Sequence, residues 1–146
     1  MDTQTAPSVA RRGALVVIGF QYAFVVLFAF GALVPLLAAA VATGDYAGLA
    51  DPGLERYGDP KDHLPGSAWN PLLWIVVIGY VMVLYGVAVP LGLLTAAAGA
   101  IHVAARWRDV SRGVRAWELT GTVLAAAVAV LMLTPYGVQL RYWLLD

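Results

Sequence analysis

Three stretches of this chain carry no charged side chain at all: 13–44, 64–105 and 119–140, with His102 the single histidine among them. Each is longer than the roughly 20 residues a helix needs to cross about 30 Å of hydrocarbon. A soluble domain interrupts its apolar segments with charge every few residues, and ordinary globular chains hold roughly 25% charged residues. Here the charged fraction is 12%, the hydrophobic fraction 61%, and the mean hydropathy +0.77. The expected fold is an all-α integral membrane protein, a bundle of three long and kinked transmembrane helices with an ordered extracytoplasmic loop.

Arg11 and Arg12 precede the first run as they would in a cleaved signal, but a signal core spans only about 7 to 15 residues and this run is about twice that. The run therefore reads as a retained span. There is no cysteine, which excludes disulfides, thiolate metal sites and thiol redox chemistry. Net charge is zero, so no field suited to nucleic acid is expected. Eight arginines against the single Lys61, with abundant alanine and valine, suggest a GC-rich bacterial genome and hence a bacterial plasma membrane.

Charge distribution orients the chain. Residues 1–12 read as a loose cytoplasmic tail ending in Arg11 and Arg12, and 106–115 as a turn with four arginines and one aspartate. Both belong in the cytoplasm by the positive-inside rule. Segment 44–70 carries Asp45, Asp51, Glu55, Asp59 and Asp62 against Arg56 and Lys61, and faces out. Three spans satisfy this arrangement, at about 13–43, 71–105 and 116–140, with the C-terminus outside.

A four-span alternative folds 71–105 into a hairpin near Pro90 and Gly92, but it exports the arginine turn and leaves freed backbone groups in an apolar setting. The three-span reading has surplus length instead, since a helix over 71–105 would extend about 52 Å. Trp107 and Trp117 mark the inner border and Tyr136, Tyr142 and Trp143 the outer one. Counting depth from Trp107 places the outer border near Tyr85, so 71–83 and 36–43 project beyond it. Their apolar sides need cover, and the loop could supply it by turning Leu49, Leu54, Tyr57, Leu64 and Trp69 inward. A partner protein could equally cover them.

Close helix approach in lipid relies on small residues. Gly92, Ala96, Ala100 and Ala104 form one four-residue stripe and Gly121, Ala125 and Ala129 another, so these faces are expected to touch. Gly19 with Ala23, and Gly31 with Pro35 and Ala39, are weaker versions. Pro35, Pro90 and Pro135 are candidate kinks.

Few polar side chains interrupt the apolar runs. Gln21, Tyr80, Tyr85, His102 and Glu118 are the candidate ligand or polar contacts. Gln21 lies roughly 13 Å beyond Arg12 along the helix and needs a hydrogen-bond partner. A His102–Glu118 pair would make a proton relay or metal half-site, yet His102 lies about 160° around the helix from Ala104. Phase thus predicts that the two do not meet and that Glu118 pairs with Arg115 or Arg106 at the surface. His63 with Asp59 and Asp62 matches no standard cation site. No catalytic motif, metal set or cofactor-binding signature is recognisable.

The leading functional expectation is a non-catalytic membrane protein, an accessory subunit or partner-binding module of a larger assembly, with the lipid bilayer and another protein or further copies of itself as partners. The alternatives are a homo-oligomeric small transporter or lipophile-binding protein using Gln21, Tyr80 and Tyr85, and an interfacial enzyme acting on a lipid or isoprenoid through Glu118, His102 and the arginines.

Overall fold

The computed structural model describes residues 6–51, 56–63 and 70–145. Helix α1 (Ala6–Phe28) runs through one wide π turn (Ala29–Leu33) into α2 (Val34–Thr43). Two short 3₁₀ turns follow, Tyr46–Leu49 and Pro60–His63. Then come α3 (Pro71–Leu84), α4 (Ala88–Arg106), α5 (Arg112–Leu133) and α6 (Pro135–Leu145). Segments Arg12–Thr43, Ala88–Arg106 and Arg112–Leu133 are each long and apolar enough to cross a bilayer, while the apolar Pro71–Leu84 is shorter.

Prolines and glycines decide where these helices start, widen and stop. Pro35 has no N–H, and its ring crowds the carbonyl four residues back. The backbone answers with the π turn just before it, where the Val34 N–H reaches Ala29 O. Gly44, at φ +71°, ends α2 in the left-handed conformation. Asn70 accepts from the Leu72 N–H at 3.0 Å and Pro71 takes the first helical position, the expected start for α3. Ser111 caps α5 by accepting from the Val114 N–H.

Three sequence expectations are corrected. The tail is helical from Ala6 onward. Segment 71–105 is not one helix, because the chain breaks at residues 85–87 around Gly86, whose φ of +70° favours glycine. Pro90 is not the break: it sits in the first turn of α4, where a backbone N–H has no intrahelical acceptor to lose. Segment 116–140 also breaks, at Thr134, which takes an extended conformation (φ −77°, ψ 162°) as a residue before proline prefers. The Thr134 hydroxyl then accepts from the Gly137 N–H at 3.3 Å and caps α6.

Helices α4 and α5 form an antiparallel hairpin, and α1 packs along both. Helix α3 lies against the π turn, with backbones so close at Gly31 and Gly79 that a Cβ on either would collide with the other strand of backbone. Helix α6 folds back sharply: Gly137 presses on the backbone of Leu131 and Met132, and Leu140, Trp143 and Leu144 are fully buried. Trp143, read from sequence as a border aromatic, is therefore part of the core.

Over α6 sits the described part of the polar loop. Tyr57 is 3% exposed and meets Trp143 edge-on with ring centroids 6.0 Å apart. Its hydroxyl donates to Asp45 O at 2.6 Å, and the Trp143 indole N–H donates to Gly58 O at 3.1 Å. Arg56 pairs with Asp45 at 3.3 Å. Leu49 packs against the same core; Leu54, Leu64 and Trp69 lie outside the described residues. The outer faces of α2 and α3 stay bare, with Leu37, Val41, Trp74, Ile78, Val81 and Tyr85 all exposed.

Candidate functional site

Four polar side chains, Gln21, His102, Glu118 and Thr122, gather where α1, α4 and α5 converge. Gln21 and Glu118 are both fully buried. The Gln21 amide donates from Nε2 to Thr122 Oγ1 at 2.8 Å, and the Thr122 hydroxyl donates to Glu118 O, one helical turn back, also at 2.8 Å. His102 Nδ1 lies 2.7 Å from Glu118 Oε1. One polar group from each helix is thereby tied to the next, as burial in an apolar medium demands.

Glycine makes room for the cluster. A Cβ at Gly99 would collide with Gln21 Nε2 and Thr122 Oγ1, and one at Gly121 with Gln21 Oε1. At Gly13 a Cβ would come within 3.2 Å of His102 Nε2, so the second ring nitrogen faces the start of α1. Tyr22 adds a contact at the same level, with its ring edge-on to Trp117 at 5.7 Å and its hydroxyl donating to Trp117 O at 3.3 Å.

Two oxygens of the cluster are not satisfied. Among the described residues, Gln21 Oε1 and Glu118 Oε2 are buried without a hydrogen-bond partner. Both are acceptors, so the cluster itself has buried lone pairs that no donor within it reaches. The His102 side chain is 20% exposed and that of Glu118 is 0% exposed, which makes the imidazole the link between the buried carboxyl and the surface. Chemically the pair can hold a proton between Oε1 and Nδ1, while the orphan oxygens suit a proton or another hard cation.

These positions overturn the surface reading of Glu118. Arg106 pairs instead with Asp109 at 3.8 Å, and Arg115 lies over the Trp107 ring at 4.2 Å and donates to Val110 O at 3.1 Å. The phase argument failed because it took the wrong face of α4 as reference. At 100° per residue a four-residue row winds about 40° per step, so Gly92 and Ala104 diverge by about 120°. Ala100 and Ala104 are exposed, and the packed face runs through Ala88, Gly92, Gly99 and Val103, with Ala96 at its margin. His102 flanks Gly99 on that face. On α5, Gly121, Ala125 and Ala129 are all buried, and Gly92 meets Ala125 and Ala129.

Tyr80 and Tyr85 belong elsewhere. The Tyr80 hydroxyl donates to Leu144 O and anchors α6, whereas Tyr85 stands 73% exposed at the α3–α4 break. In the loop, His63 Nε2 is 3.0 Å from Tyr57 O and Asp59 pairs with Lys61. No group of three or more metal-ligating side chains occurs among the described residues. Sequence reading did not single out Thr122 or Gly99 as site residues. The signal for both was available: Thr122 lies one turn beyond Glu118, and Gly99 lies one heptad beyond Gly92. Comparison of the chain with protein-family models, curated proteins and solved structures gives no match.

Proposed function

We propose that this is a multi-pass protein of a bacterial plasma membrane and that it works as a non-catalytic accessory subunit of a larger membrane assembly. Its N-terminus and arginine turn lie in the cytoplasm and its C-terminus outside. The observation that carries the proposal is a mismatch between apolar length and bilayer thickness. The 32 residues from Arg12 to Thr43 extend roughly 48 Å, against about 30 Å of hydrocarbon. With Arg12 at the inner border, α2 and the first turns of α3 stand beyond the outer one. There Leu37 and Val41 on α2 and Trp74 on α3 remain exposed, and exposed apolar surface facing water marks an interaction site.

On this reading the Gln21–Thr122–Glu118–His102 cluster is a clasp that fixes the register of three helices. Purification from native membranes in mild detergent tests the proposal. A stoichiometric second protein is expected, and Trp74→Arg with Ile78→Arg should release it while the chain itself stays folded. Recovery of the chain alone, unchanged by the double substitution, would contradict it.

The unpartnered oxygens of Gln21 and Glu118 favour a second reading, a homo-oligomer that passes a proton or small cation. An intramembrane carboxyl is a functional candidate by default. Proton flux in reconstituted vesicles that disappears with Glu118→Gln, in the absence of any partner, would select it.

A further inference from the structure

A second polar feature lies at the opposite end of the bundle from the arginine turn. The α3–α4 break at Gly86 faces the end of α5 and the length of α6, enclosing a cavity of about 420 Å³, within the size range of small-molecule sites. Val89, Met132, Leu133, Val138 and Leu145 make its wall apolar, and Arg141 and Tyr142 stand at its edge. Among the described residues no carboxylate lines it.

Arg141 is held in place, not left to wander. Its Nε donates to Leu84 O at 3.0 Å, a carbonyl freed where α3 ends. The guanidinium lies over Gly86, where a Cβ would come within 3.3 Å of Nη1. Among the described residues it pairs with no carboxylate, so its two terminal nitrogens keep donors for an outside acceptor. A planar fork of donors over an apolar slot fits the phosphate of an amphiphile. The exposed Tyr85 and Tyr142 are the aromatic types that sit at headgroup level.

We propose that this cavity binds one anionic phospholipid, its phosphate on Arg141 and an acyl chain along Val138, Leu133 and Met132. The proposal rests on the membrane reading above. This cavity lies at the end away from the cytoplasmic arginines, and what carries the assignment is the fixed guanidinium beside an apolar wall.

Native mass spectrometry of the full chain, extracted from membranes and stripped of lipid, tests it with three probes: phosphatidylglycerol, the matching diacylglycerol, and inorganic phosphate. One phosphatidylglycerol per chain is expected. Arg141→Gln should weaken binding roughly tenfold to a hundredfold, the range for hydrogen bonds to a charged group. Val138→Trp, which fills the slot and keeps the arginine, should weaken it as well. Unchanged binding in both variants overturns the site. Equal binding of diacylglycerol overturns the phosphate contact, and equal binding of inorganic phosphate overturns the acyl slot. Recovery of the chain in the soluble fraction would instead sink the membrane reading itself, before any lipid is added.

Discussion

His102 on α4 and Glu118 on α5 face each other across the arginine turn, with Nδ1 and Oε1 2.7 Å apart and the carboxyl fully buried. The contact closes the α4–α5 hairpin near its base. Gln21 and Thr122 extend it to α1.

The pair should therefore be coupled in stability. A double-mutant cycle with His102→Ala and Glu118→Gln, read by thermal unfolding in detergent, is expected to give an interaction energy of roughly 0.6 to 1.7 kcal/mol, from the average to the maximum seen for polar contacts between helices in membranes. Additive single effects would mean the two side chains do not interact.

Small residues should divide sharply by face. Gly99→Ala and Gly121→Ala drive a methyl into Gln21 and Thr122, so each should destabilise by about 1 to 3 kcal/mol through overpacking. Ala100→Leu, on the exposed side of α4, should be close to neutral. The ranking is checked by melting temperature of the three variants in one detergent.

That division shows what was legible in the sequence. Charge-free length gave helices, and the Asn70-Pro71 start of α3 follows from residue type alone. The Ala100 and Ala104 stripe was misleading because identical spacing fits more than one helix face, and only the partner helix selects among them. Likewise Pro90 looked like a break, but a proline in a first turn costs nothing, and the glycine at 86 carried the bend. The fold-back of α6 was not legible: Trp143 is as suitable for a membrane border as for a core, and its burial depends on Tyr57, 86 residues earlier in the chain.

Alkaline pH should loosen the loop before the bundle. Burial, followed by the Asp45 carboxylate, raises the Tyr57 pKa above its ordinary 10.0, against a lowering pull from Arg56. The unfolded tyrosine thus ionises first. The contribution of Tyr57 is complete below pH 10.0 and is lost as pH rises through the higher folded value. Near-ultraviolet circular dichroism of the Tyr57–Trp143 contact should fade in that window. Tyr57→Phe should abolish the pH effect and cost about 1 kcal/mol for the lost hydrogen bond to Asp45 O.

The proposed orientation rests on the arginines. Reporter fusions should place the N-terminus and the 106–115 turn in the cytoplasm and the C-terminus outside, as three crossings require. Both ends in one compartment would show an even number of crossings and move the loop's face.

The bare stripe on α3 gives the most direct test of the accessory-subunit account. A photo-crosslinking residue placed at Ile78, 53% exposed, and another at Trp74, 60% exposed, are irradiated in native membranes. The account predicts one discrete adduct with a single different protein at both positions, and none from a control at Val123 on the exposed side of α5. Adducts with lipid alone, or only with a second copy of this chain, would contradict it.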